Sequence, residues 1–186
     1  ISYSRNSRTY HIERSELNGN TIAYNFNDTL YKDNVLIGAM LNFGLRINGN
    51  HRVKLMNTFS LNADDQTTKR AGNFIDNEEF IKGTALWFTN NQLLSNQLSS
   101  EHILSKRKIK LQLGVGRNSI TRTIPDLRKT YYQKKYDDSL YRAYIPLKAS
   151  PNFSGRFFAK TNEVIYSGNA DVTVPYKLSN VAQSVK

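Results

Sequence analysis

Cysteine is absent from the 186 residues, which excludes disulfide frameworks, thiolate zinc sites and cysteine nucleophiles and is compatible with an envelope compartment. Histidine is nearly absent too: His11, His51 and His102 are the only three, and none stands at the i, i+4 or neighbouring-carboxylate spacing of a metal site. His102 follows Glu101, but adjacent strand positions point to opposite sheet faces, so the two do not share a catalytic task. Long hydrophobic runs are missing: no stretch of the sequence approaches the ~18 consecutive apolar residues of a helical span. The first residues, Ile1-Ser2-Tyr3-Ser4-Arg5, carry no initiating Met, basic n-region or apolar core of a signal peptide. They read as the middle of a strand, and the expectation is a segment of a longer polypeptide.

Catalytic patterns are equally scarce. No nucleophile-elbow pattern is present, and Gly114-Val115-Gly116 lacks the third glycine and following helix of a dinucleotide site, so it reads as strand glycine. The acid pairs Asp64-Asp65, Glu78-Glu79 and Asp137-Asp138 lack the glycine and ligand spacing of an EF-hand. The expectations are therefore no enzyme, no catalytic residue, no metal and no cofactor. A net charge of +11 invites a nucleic-acid partner, but the charges spread over turns and polar strand faces. Local groups stand only at Lys106-Arg107-Lys108-x-Lys110 and Lys134-Lys135, and the reading is solvated surface with no nucleic acid.

What the sequence does contain is alternation. From Val35 every second residue is apolar (Ile37, Ala39, Leu41, Phe43, Leu45, Ile47), while most of the intervening positions are small or polar. After Asn48-Gly49-Asn50 the pattern resumes through Val53, Leu55, Phe59, Leu61 and Ala63, against Arg52, Lys54, Thr58, Ser60 and Asn62. Period-two alternation about an Asn-Gly turn is a hairpin with one apolar face. Each arm has about 13 residues, above the usual strand length of ~5–6 and enough for the ~9–11 of a tilted transmembrane strand. Mean hydropathy of −0.57 does not oppose this, because only alternate residues of such a strand meet lipid.

The pattern predicts a strand over residues 1–12, an Asn/Asp-rich loop to about residue 32, strands over 33–47 and 51–63, and a polar loop over 64–79. A strand over 80–103 follows, interrupted at Asn90, Gln92 and Asn96 by a bulge or an aqueous extension. A short turn at 104–107 leads to a strand in which Ile109, Leu111, Leu113 and Val115 alternate with polar residues and glycine. Residues 125–160, with Pro125, Pro146, Pro151 and many Tyr and Lys, read as a long functional loop, and a last strand runs through Val164, Tyr166, Val172, Val174 and Tyr176. Long loops at one end and short turns at the other is the asymmetry of outer-membrane barrels, and Tyr24, Tyr31, Trp87, Phe88, Tyr166 and Tyr176 are expected near strand ends as an interfacial girdle.

Several runs resemble the barrel of TonB-dependent receptors of the Bacteroidota type. They are Leu93-Leu94-Ser95-Asn96-Gln97-Leu98 with Glu101-His102, Pro125-Asp126-Leu127-Arg128, Pro151-Asn152-Phe153-Ser154-Gly155-Arg156-Phe157-Phe158, and Tyr166-Ser167-Gly168. The likeness covers residues 28–178. It implies a cell outer-membrane transporter of 22 strands with a plugged lumen, to which residues 1–186 contribute a partial barrel domain without plug or TonB box. No energy-coupling residue is carried over.

The resulting expectation is all-β: an antiparallel up-and-down meander of about six long strands, part of a larger transmembrane β-barrel that imports a nutrient. Expected partners are outer-membrane lipid, the remainder of the barrel and plug, a small nutrient ligand and, through the full-length receptor, TonB and a surface lipoprotein. Arg52, Lys54, Gln112, Asn169 and Asp171 are expected on the lumenal face. Within the long loop, Arg128-Lys129-Thr130-Tyr131-Tyr132 mixes cations with aromatics, so Arg128, Tyr131 and Tyr132 are the candidate ligand contacts. The alternative is a soluble or surface-attached β-sandwich binding carbohydrate or protein, its apolar face packed on a second sheet.

Overall fold

The computed structural model describes residues 1–104, 108–148, 150, 152–178 and 181–185. It is all-β. Six long strands, β1 (Ser2–Asn18), β2 (Thr21–Asn48), β3 (His51–Phe74), β4 (Glu79–Leu104), β5 (Ile109–Lys135) and β7 (Gly155–Leu178), form an antiparallel meander in chain order. Two short strands complete it: β6 (Arg142–Ala143) pairs with β5, and β8 (Val181–Val185) with β7. Among the described residues β1 pairs only with β2 and β8 only with β7. One end of the sheet, the turn end, carries residues 49–50. The opposite end carries residues 19–20, the single 3-10 turn Ile75–Asn77 and the connection 136–154, and is termed the loop end.

Register fixes the faces. Leu41 pairs with Asn57 and Phe43 with Leu55; Leu55 then opposes Leu98, Leu98 opposes Val115, and Leu113 opposes Ala170. Directly opposed residues share a face, so the apolar residues of β2, β3, β4, β5 and β7 lie together on one side in the half of the sheet nearer the turn end. No second sheet or helix covers them among the described residues: Leu41 is 59% exposed, Phe43 58% and Val172 49%. One polar row, Asn57, Asn96 and Arg117, interrupts the apolar face, and there Asn96 donates to Asn57 Oδ1 at 2.7 Å and Asn57 Nδ2 to the Leu41 carbonyl; Ser100 and Ser119 are single polar positions within it. The opposite, polar face carries Arg52, Lys54, Glu101, Gln112, Asn169 and Asp171. With Ser99, Ser100, Leu113 and Gly114 they line a recess of about 250 Å³.

The strands are longer than the alternation indicates. β2 has 28 residues, roughly 90 Å at about 3.3 Å per residue. The Asn/Asp-rich loop expected up to residue 32 is a tight turn, with Gly19 at φ 65° between Asn18 and Thr21, and β2 begins there. The loop expected over 64–79 is strand to Phe74 and from Glu79, closed by a four-residue turn in which Glu78 takes φ 54°. Residues 125–135, placed in the long loop by sequence, continue β5, so only 136–154 connects. Alternation fails in these segments because neither face is uniformly apolar, whereas the backbone ladder continues without regard to side-chain polarity. The expected end-to-end asymmetry therefore rests on one connection rather than three.

Two further expectations change. The hairpin at Asn48-Gly49-Asn50 forms, but Gly49 does not take a positive φ; the Asn48 side chain accepts from the Asn50 N–H at 2.8 Å and closes the turn itself. The aromatic girdle is not one belt, since Trp87 and Tyr24 face the polar side, and Tyr31 and Tyr166 lie well inside their strands. The short turn expected at 104–107 lies, at residues 105–107, outside the described residues, as do Lys106 and Arg107 of the first basic group and Pro151.

Candidate functional site

At the loop end the polar face becomes a built surface. Along β2, Tyr24, Phe26 and Asp28 stand at alternate positions and share a side. Register sets β3 against them as Phe74, Gly72 and Arg70, β4 as Glu79, Ile81 and Gly83, and β5 as Lys135, Gln133 and Tyr131. Aromatics thus stand on the edges of a small lattice whose interior is Gly72 and Ile81.

Gly72 is the position that permits it. A Cβ there would lie 2.1 Å from the Asn25 carbonyl oxygen and 2.8 Å from Phe26 Cα, so no other residue fits beneath Phe26. Tyr24 and Phe26 stack at 4.6 Å between centroids with planes 11° apart, and Phe74 lies nearly parallel at 6.3 Å from Tyr24. Across a cavity of about 480 Å³ stand Tyr131 and Phe153, edge to face at 5.1 Å, with Ile81, Arg70, Lys129, Asn77 and Asn152 completing the lining. That volume lies within the ~300–1,000 Å³ of small-molecule sites. The 136–154 connection folds its far wall: the Tyr144 N–H donates to the Tyr131 carbonyl at 2.9 Å, the Tyr131 N–H to Ser154 Oγ at 2.7 Å, and Tyr144 packs on Phe153.

The charges beside the cavity are neutralised in place. Asp28 is buried, with 2% side-chain exposure, and receives two hydrogen bonds from Arg70 at 2.7 and 2.8 Å and an ion pair from Arg14 at 3.0 Å. Burial alone would push its carboxyl up. The two guanidinium groups outweigh burial, and it titrates below the ordinary carboxylate range. Arg70 also lies over the Phe26 ring at 4.9 Å, which fixes both groups. Burial raises the Tyr131 phenol above its usual range, and the nearby Glu79 adds to the effect. Such a surface offers stacking faces, amide groups and a pinned guanidinium, which suits binding a ring-bearing ligand rather than breaking bonds. Among the described residues there is no group of three or more His, Asp or Glu placed to hold a metal ion.

Of the three candidate contacts read from sequence, none is in a loop. All lie on β5, where Tyr131 joins the cavity while Arg128 and Tyr132 face the other side. Their separation follows from strand alternation, positions 128 and 132 taking one side and 131 the other; the bulge lies upstream of all three. Register shifts between Ile124 and Leu127 against β7 and between Leu86 and Asn90 of β4, and Pro125, with no N–H to give a ladder, sits in the irregularity. Arg128 instead pairs with Asp126 at 2.5 Å, and Asp126 takes two more bonds from Arg156 at 2.7 and 2.9 Å. On that side Lys134 lies over the Phe80 and Tyr141 rings and Lys82 over Tyr141.

Tyr24, Phe26, Asp28, Arg70 and Phe74 escaped sequence reading because they fall in segments taken for loops. The signal was present as the period-two run Tyr24-x-Phe26-x-Asp28 followed by its reverse, Arg70-x-Gly72-x-Phe74, on the partner strand. His51 and His102 are likewise far apart in sequence and directly opposed in the sheet. Set against known proteins, the chain matches no family model and no curated sequence, so the functional conclusion rests on this geometry.

Proposed function

We propose that the chain is a stretch of wall from an outer-membrane transporter barrel of the TonB-dependent kind, importing a small nutrient ligand. The apolar face near the turn end meets lipid, the polar face with Arg52, Lys54, Gln112, Asn169 and Asp171 lines the lumen around a plug supplied by other parts of the receptor, and the aromatic cavity at the loop end receives the ligand outside the cell. The observation that carries this reading is the uncovered apolar face on strands long enough to cross a bilayer with many residues to spare. A soluble sandwich would cover that face with a second sheet.

A second feature supports it. The apolar run begins in β2 at Val35 and in β3 at its partner Ala63. In β4 and β7 it begins at Leu94 and Val164, each four residues nearer the turn end than Asn90 and Lys160, which stand in the same register row. Strands about 4.8 Å apart and tilted by ~40° shift a bilayer boundary by about one residue per strand, or roughly five over these four steps. The margin lies nearer the turn end in β4 and β7 than in β2 and β3, and deepest in β5, where the run begins at Val115, eight residues from Thr123 of the same row.

Residues 1–186 carry no cysteine of their own to compete with an introduced one. Single cysteines placed along residues 39–46 of the complete polypeptide, in its native membranes, carry a nitroxide whose collisions with lipid-dissolved oxygen and with a water-soluble nickel chelate are read by electron paramagnetic resonance. Oxygen access at positions 39, 41, 43 and 45, alternating with chelate access at 40, 42, 44 and 46, is the expected outcome. Low access to both reagents at the odd positions, or a polypeptide monodisperse in buffer without detergent, rejects the reading and favours the sandwich; uniform chelate access rejects both.

A further inference from the structure

His51 begins β3 immediately after the 49–50 turn, and His102 stands opposite it near the end of β4. Their Nδ1 atoms are 2.9 Å apart, with ring centroids at 5.1 Å and planes tilted by 51°, and both side chains are half-buried. Two neutral imidazoles reach this separation only with complementary tautomers, one Nδ1–H donating to the other's Nδ1 lone pair. The strands fix the distance: the Asn50 carbonyl accepts from the Ile103 N–H at 2.8 Å, which ties the turn to β4 beside the pair.

We propose that His51 and His102 form a chelating site for a divalent transition-metal ion, of the geometry that cupric ion prefers. With metal–nitrogen bonds of ~2.0–2.1 Å, two nitrogens about 2.9 Å apart subtend about 90° at the metal. That is the cis edge of a square-planar or tetragonal centre, as Cu(II) and Ni(II) adopt, whereas tetrahedral zinc would need the nitrogens about 3.3 Å apart. A metal at that apex lies about 45° off the line joining the two Nδ1 atoms, so each ring turns to aim its lone pair at it. The donor ring moves its proton from Nδ1 to Nε2, so the pair stays neutral and releases none. Water fills the remaining positions, since both rings reach solvent. Cupric ion also stands highest in the affinity order for nitrogen ligands. The site is independent of the membrane reading, because it needs only the β3–β4 register.

Titration of the complete polypeptide with cupric ion, followed by electron paramagnetic resonance and electron spin-echo modulation, tests this. One ion per chain with two imidazole nitrogens is expected. His51→Asn and His102→Asn, which keep a polar side chain of similar reach and can be checked for an intact sheet by circular dichroism, should each weaken binding at least tenfold, while His11→Asn leaves it unchanged. A copper signal with one or no imidazole nitrogen in the unsubstituted protein overturns the proposal, as does affinity that survives His51→Asn.

Discussion

Single residues near the loop end hold more stability than their exposure indicates, because the sheet has few buried side chains to share the load. Gly72 is one of them. Gly72→Ala sets a methyl group against the backbone of Asn25 and Phe26, neither of which is a flexible side-chain tip, and overpacking of this kind costs about 1–3 kcal/mol. A lowered urea midpoint in detergent, together with altered Tyr and Phe ring shifts at the cavity, is the expected result; an unchanged midpoint would mean that β2 yields freely. Several carboxylates support the acid limb of stability, Asp126 and Asp28 among them. Asp126, with Arg156 and Arg128 beside it, is held down to about 2, and Asp28 lies below its ordinary value. A depressed folded pKa contributes stability that is present above the unfolded value of ~3.9 and is lost as pH falls through the folded one. The unfolding midpoint should therefore stay level at neutral pH and fall between about pH 4 and 2. Asp126→Asn should flatten part of that decline.

Strands and turns differed in how far the sequence disclosed them. The halves of β2, β3, β5 and β7 nearer the turn end were legible because one face is consistently apolar, and the pairing of Leu41, Phe43, Leu55 and Leu113 on one side follows from parity alone. The halves nearer the loop end were not legible, since Asp64-Asp65 or Lys134-Lys135 look like loop composition while the backbone continues in register. The bulge at Pro125 was also invisible, and it reverses which side each later residue of β5 takes. Arg128 and Tyr131 stand three positions apart on one strand and take opposite sides by alternation alone, whereas a segment read as a loop gave no reason to separate them. Arginine substitutions distinguish the faces: Leu41→Arg or Leu98→Arg should cost ~2–4 kcal/mol at a bilayer midplane, while Asn42→Arg on the polar side should cost less than about 1. Equal, small effects at all three positions would place both faces in water. On the proposed transporter reading, shortening the connection within residues 137–148 of the complete polypeptide should weaken ligand uptake through loss of Tyr144, yet leave the sheet intact, since no long strand pairing is touched. Unchanged uptake would remove this connection from ligand capture.

At the scale of the whole chain the architecture was the most legible property and the site the least. Six strands, antiparallel and in sequence order, follow from alternation and Asn-Gly turns, whereas the cavity depends on rows that join residues from β2 to β5, more than a hundred positions apart. A further property follows from the meander itself. Among the described residues each long strand pairs only with its neighbours in the chain, so within them cooperativity runs in one dimension, as in a solenoid, each hairpin coupled to the next. Damage to β5 reaches β1 only after passing through three intervening strands, and with residues 1–186 taken alone the outermost strands are the first to exchange their amide hydrogens. Order in such a sheet has no centre; it is a zipper whose resistance is greatest in the middle and least where a closing partner would attach.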